Sequence, residues 1–160
     1  MQTENKIVAR KKIPGIVKEL QKQNTKVVFT NGCFDILHSG HVVLLEKARS
    51  QGDLLVLGIN TDDSVRRLKG ASRPINDQLE RARVLAGLES VSYVTFFKED
   101  TPAEIIKEIL PNVLVKGGDY AIDEIVGRKT VQDNGGQVVT IPLVKGRSTS
   151  NIINKIKHNF

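Results

Sequence analysis

Five short, almost unbroken apolar runs narrow most sharply what this 160-residue chain can fold into: 26–31, 53–60, 92–97, 112–116 and 137–141. A strand that is apolar at nearly every position, rather than at every second one, is buried on both faces. Sheets of that kind are parallel and carry helices on both sides, because parallel strands need crossover connections. The segments between the runs supply those helices. Residues 40–51 place Val42, Val43, Leu44, Leu45 and Ala48 on apolar faces, and Gly52 stops the helix. A short helix follows the second run, then a polar loop over 69–76. Residues 77–89 read as a helix capped by Asp77, with Leu79, Ala82, Val84 and Leu85 on its apolar side. Thr101-Pro102-Ala103-Glu104 has a capping-box pattern with Pro at the first helical position. Helices are expected again over 122–134 and 148–158. Ahead of the first run, Ile13, Ile16, Val17 and Leu20 around Pro14 predict a short amphipathic helix. The expectation is a doubly wound α/β fold, with an N-terminal extension over 1–25 and one domain over 26–160, long enough to bury a sizeable core.

Composition excludes several classes. No apolar stretch approaches the roughly 20 residues of a membrane span. Met1–Lys6 is polar and lacks the apolar core of a signal peptide, so a cytoplasmic location without a membrane partner is expected. The single cysteine, Cys33, cannot form an internal disulfide and reads as a small space-filling residue. A net charge of +6 suits nucleic acid, but it equally suits an enzyme that holds phosphorylated small molecules. The cations are scattered and aromatic residues make up only 4% of the chain, so stacking platforms for single strands are scarce and no nucleic-acid partner is expected.

The chemistry concentrates where the first run ends. Gly32-Cys33-Phe34-Asp35 turns the chain, and His38-Ser39-Gly40-His41 opens the next helix. Unpaired backbone N–H groups and the positive end of the helix dipole collect at such a junction and bind anions. In doubly wound sheets the ligand lies at the C-terminal ends of the strands. Here the sequences rich in Gly, Lys, Arg and hydroxyl groups follow the first run, the fourth (Lys116–Tyr120) and the fifth (Gly146–Ser150). Two familiar phosphate motifs are absent. Gly127-Arg128-Lys129-Thr130 lacks the spacing of G-x-x-x-x-G-K-[ST], and no G-x-G-x-x-G occurs.

Asn31-Gly32-Cys33-Phe34-Asp35-Ile36-Leu37-His38-Ser39-Gly40-His41 resembles the signature of the HxGH nucleotidyltransferases. Five further stretches, 67–70, 72–75, 99–102, 114–120 and 146–153, resemble one branch of that superfamily. Its members are adenylyltransferase domains that act on D-glycero-β-D-manno-heptose 1-phosphate. The resemblance spans roughly residues 26 to 157. It implies a Rossmann-like domain with strand order 3-2-1-4-5 and transfer of AMP from ATP to a sugar 1-phosphate. The product would be ADP-heptose for lipopolysaccharide or a related surface glycan.

In that reaction a phosphate oxygen attacks the α-phosphorus and pyrophosphate leaves. The nucleophile is already charged, so the protein needs to align two repelling anions and stabilise the transition state, without a general base or covalent intermediate. The resemblance implies that His38 and His41 donate to the triphosphate and that Lys69 bridges the α-phosphate and the incoming phosphate. Arg147, Ser148 and Thr149 would meet the β- and γ-phosphates, and Ser148 also suits a helix cap. Asn31, Gly32, Cys33, Phe34, Asp35, Gly40, Lys116, Gly117, Gly118 and Asp119 would shape the nucleotide site. Arg73, Arg81 and Asp62 are candidates on the acceptor side. For Asp35, orienting a histidine, helping to hold a metal and capping the turn all stay open. No residue is assigned as a metal ligand, and Mg²⁺ is expected as the counterion of ATP. The resemblance also implies a homodimer. Many relatives carry a fused sugar kinase, which no segment of this chain resembles, so a separate sugar kinase is expected. Two rivals remain: a cytidylyltransferase for glycerol 3-phosphate or a similar polyol phosphate, and a non-catalytic nucleotide- or nucleic-acid-binding module.

Overall fold

The computed structural model describes residues 2–159. Its sheet holds five parallel strands: β1 (Val27–Gly32), β2 (Leu54–Asn60), β3 (Tyr93–Phe97), β4 (Val113–Gly117) and β5 (Gln137–Ile141). They run in the order β3-β2-β1-β4-β5, as expected, and each lies within one residue of its apolar run. The helices are α1 (Thr3–Lys6), α2 (Ile13–Lys22), α3 (Ser39–Arg49), α4 (Asp62–Lys69), α5 (Gln78–Ala86), α6 (Ala103–Ile109), α7 (Arg128–Asp133) and α8 (Thr149–Asn159).

Alternation along each strand divides the core in two. Val28, Leu55, Leu57, Ile59 and Val113 pack with Leu45 and Ala48 of α3 and Ala82 and Leu85 of α5. On the opposite face, Val27, Phe29, Val56 and Leu114 pack with Ile13 and Val17 of α2, Ile105 and Ile106 of α6 and Val131 of α7. Each fully buried Val, Leu, Ile or Phe among them contributes about 1.5–3 kcal/mol relative to exposure. The segment before β1 joins the structure as well. Ile7 bridges Val94, and Val8 N–H donates to the Val94 carbonyl at 2.8 Å, which covers the otherwise open edge of β3.

Three local expectations are corrected. The helix expected over 122–134 is a 3₁₀ turn (Ile122–Glu124) followed by α7, because Gly127 adopts φ 87°. A Cβ there would lie 2.6 Å from Ile106 Cδ1, so close packing of α6 requires glycine. At α6, Pro102 occupies the N-cap position and no side chain caps the helix, so the Thr101–Glu104 box does not form. In α5, Asp77 accepts from Leu79 N–H and Glu80 N–H as expected, but Leu79 and Val84 face solvent and Arg81 is buried in their stead. A charged residue can take that inner position because every nitrogen of its guanidinium finds an oxygen. Among the described residues, no helix is long and apolar enough to cross a membrane.

Candidate active site

The central strand β1 delivers the chain into a tight turn. Phe34 adopts φ 46°, and its ring folds back so closely over Gly32 that a Cβ there would meet it at 2.8 Å. His38 then sits at the N-cap of α3 without a side-chain capping bond, and His41 lies in the first turn. Their rings stack at 3.8 Å between centroids and 22° between planes, with the Phe34 ring 5.0 Å from His41. Gly40 is buried between them, and a Cβ on it would lie 3.0 Å from the His38 ring and 3.2 Å from Arg147 Cβ. The glycine therefore allows α3 and the segment entering α8 to approach.

Burial pushes His41 down to about 4, with His38 adding repulsion, and His38 is lowered by burial and then by Arg147. Both imidazoles are neutral at pH 7. Both Nδ1 atoms are buried and have no hydrogen-bond partner among the described residues. A buried polar atom left without a partner calls for a reason. The two rings sit at a helix N-terminus beside Arg147, a place that favours an anion.

A cleft of about 660 Å³ opens over these groups at the C-terminal ends of the strands. It brings together Asn31, Gly32, Cys33, Phe34, Asp35, His38, Gly40 and His41 from the first loop with Lys69 and Arg73 from the α4–α5 connection. Lys116 and Gly117 reach it from β4, and Arg147, Ser148 and Thr149 from the start of α8. Thr149 Oγ1 donates to the Ile36 carbonyl at 3.2 Å and Ser148 Oγ accepts from Asn151 N–H at 3.1 Å, so α8 is both capped and tied to the first loop. Gly118 and Asp119 lie outside the lining. Gly118 is buried at φ 125° under the Tyr120 ring and turns the chain, while Asp119 is exposed.

Asp35 touches neither imidazole. Its carboxylate accepts from Arg73 Nε at 2.5 Å, Ile75 N–H at 2.8 Å and Asn76 N–H at 3.0 Å, and its side chain is 1% exposed. Burial opposes its ionisation, but the bonds from Asn76, Ile75 and Arg73 outweigh that and hold the carboxyl below its ordinary range. Arg81 and Asp62 are not brought to the cleft. They pair with each other at 2.7 Å, and Arg81 also donates to the Cys33 carbonyl at 2.6 Å and the Asn76 carbonyl at 3.1 Å. Asp35 and Arg81 together brace the first loop against residues 73–76. Cys33 donates weakly to Asn60 Oδ1 at 3.8 Å, and burial pushes its thiol up, against the partial offset of Lys69, Arg81 and Arg73. It is a protonated filler. Among the described residues no three metal-ligating side chains gather. His158 is exposed on the last turn of α8.

Sequence reasoning gave no role to Asn60, Asp100, Thr101, Pro102, Tyr120, Val126, Leu143 and Val144, all of which line the cleft. Two signals were available: all lie at or beyond the C-terminal ends of β2, β3, β4 and β5, and Asp100, Thr101, Pro102 and Tyr120 fall in the resembling stretches 99–102 and 114–120.

Comparison with known proteins agrees with this geometry. The cytidylyltransferase-like family model matches residues 29–155. The bifunctional protein HldE of Geobacter sulfurreducens is 56% identical over 144 residues, covering 90% of this chain and 29% of that protein. The chain thus spans about a third of the length of the curated relatives it matches. The crystal structure of the lipopolysaccharide core biosynthesis protein from Thermoplasma volcanium GSS1 superposes with a TM-score of 0.62 at 28% identity, covering 77% of this chain and 99% of that one. The pantoate-beta-alanine ligase of Francisella tularensis shares the fold, with a TM-score of 0.61 at 18% identity over 95% of this chain and 77% of its own.

Proposed function

The chain belongs to the cytidylyltransferase-like family and is a nucleotidyltransferase, and from that premise we propose that it transfers AMP from ATP to D-glycero-β-D-manno-heptose 1-phosphate. The products are ADP-heptose and pyrophosphate. The observation that carries the reading is the pair of stacked, neutral, unpartnered imidazoles at the N-terminus of α3, facing Arg147 across Gly40. Similarity to the bifunctional protein HldE and to a lipopolysaccharide core biosynthesis protein supports the choice of sugar.

In the reaction, an oxygen of the acceptor phosphate bonds to the α-phosphorus while the bond from that phosphorus to the bridging oxygen breaks, and the electron pair leaves with pyrophosphate. His38 and His41 donate to the triphosphate oxygens, and the phosphate charge draws both rings toward protonation. Arg147, Ser148 and the first N–H groups of α8 hold the leaving pyrophosphate. Lys69 spans the α-phosphate and the acceptor phosphate, and the part of the Arg73 guanidinium not bound to Asp35 meets the acceptor. The stacked imidazoles and the Asp35-bound Arg73 stand in place before substrate arrives, so these groups need little reorganisation at the transition state. Lys116 and Gly117 border the nucleoside. Mg²⁺ would accompany the triphosphate as its counterion, and the Asp35 carboxylate is engaged by Arg73, Ile75 and Asn76. Sugar kinase activity supplies the acceptor's phosphate.

The test is pyrophosphate release with Mg²⁺ and either ATP or CTP, each against heptose 1-phosphate, other sugar 1-phosphates and glycerol 3-phosphate. ATP with heptose 1-phosphate is expected to show the highest kcat/KM. Preference for CTP or for glycerol 3-phosphate contradicts the substrate assignment. No turnover with any pair points to a binding module instead.

A further inference from the structure

We infer that Asp100 reads a hydroxyl group of the acceptor, so that the cleft wall beyond β2 and β3 selects a polyhydroxylated sugar phosphate; this rests on the sugar-phosphate reading above. A carboxylate is out of place in a cleft built for two anions unless it meets a hydrogen-bond donor. Asp35 has its donors within the protein. Asp100 does not. Arg67 contacts Asp100 through Nε at 2.8 Å and Nη2 at 2.7 Å, and both contacts fall on Oδ1. Oδ2 has no partner among the described residues, while the residue lines the cleft.

The carboxylate is also held in place. Arg67 Nη2 donates to the Lys98 carbonyl at 2.6 Å, which fixes the guanidinium. The neighbouring Glu99 carbonyl accepts from Ser64 Oγ at 3.0 Å and Asn60 Nδ2 at 3.5 Å, and Arg10 grips the Glu99 carboxylate at 2.7 and 2.9 Å. A loop secured from both sides presents a rigid acceptor, and rigidity is what a recognition group needs. Ionised phosphates only accept hydrogen bonds, so Oδ2, open to solvent in the free protein, suits a hydroxyl or amino donor of the substrate and neither phosphate. Asp100 follows β3, on the side of β1 that carries Lys69 and Arg73, whereas the nucleoside lies on the β4 side at Lys116. The donor is therefore a hydroxyl of the acceptor sugar.

The experiment compares the wild-type protein with Asp100→Ala, using pyrophosphate release at saturating ATP. The acceptors are heptose 1-phosphate and analogues each lacking one hydroxyl. Asp100→Ala is expected to raise KM for heptose 1-phosphate about ten- to a hundredfold, with KM for ATP within about twofold. One deoxy analogue should show the same loss with the wild type and no further loss with Asp100→Ala, the signature of a pairwise contact. The Arg67 pair is half-exposed and worth little to stability, so the variant is expected to melt with the wild type. Unchanged acceptor KM, or an equal loss for every acceptor, overturns the inference while leaving the proposed function intact. Failure of the wild type to use any sugar 1-phosphate overturns that function, and the inference falls with it.

Discussion

His41→Ala lowers kcat about 10²- to 10³-fold, the typical loss when one preorganised charge-stabilising donor is removed. Its ring is seated between Phe34 and His38. Gly40 carries no side chain that could replace it, and a Cβ there would meet the His38 ring and Arg147 Cβ. The loss should persist at saturating ATP and acceptor, since a transition-state contact is removed. His158→Ala should match the wild type, because that ring is exposed near the chain's end and bonds only to the Asn154 carbonyl. Steady-state pyrophosphate release checks both. A loss of less than tenfold for His41→Ala would remove this imidazole from the chemistry.

Asp35→Ala destabilises the fold by about 3–5 kcal/mol, the usual cost of removing one partner from a buried ion pair. The alanine strands Arg73 and leaves the N–H groups of Ile75 and Asn76 without their acceptor. With native stabilities of roughly 5–15 kcal/mol, such a loss brings the protein near its unfolding threshold. Activity should fall further than stability alone explains, because the loop leading from Lys69 to Arg73 is no longer anchored to the first loop. Urea denaturation measures the first effect. Amide hydrogen exchange at Ile75 and Asn76 measures the second, and exchange there should accelerate selectively. A stability within about 1 kcal/mol of the wild type would show that the brace is dispensable.

The sheet was legible because burial on both faces leaves a local trace, an apolar residue at nearly every position of 27–30, 54–57 and 113–115. The histidine pair was legible for a similar reason. Residues three apart in one turn come together whatever the rest of the chain does. What escaped depends on distant partners. Arg81 looks like a surface residue until the Cys33 carbonyl, 48 positions away, and Asp62 supply its acceptors. Arg81 turns inward beside Ala82 and Leu85, which are buried as expected, while Leu79 and Val84 turn outward, so only part of the expected apolar side of α5 faces the core. The break at Gly127 is set by contact with Ile106 of another helix. Asn60 reaches the cleft from a strand end that carries no motif, and Asp100 from a stretch whose resemblance assigns it no role, so only the assembled sheet places them there.

Histidine ring ¹⁵N NMR, recorded across pH with and without ATP and Mg²⁺, tests the anion-receiving pair most directly. In the free protein His41 should stay neutral down to about 4 and His38 should titrate below its ordinary value. With ATP bound, the resonances of both rings should move and both midpoints should rise. If ATP binds and leaves His38 and His41 unmoved, the phosphates lie elsewhere and the account fails.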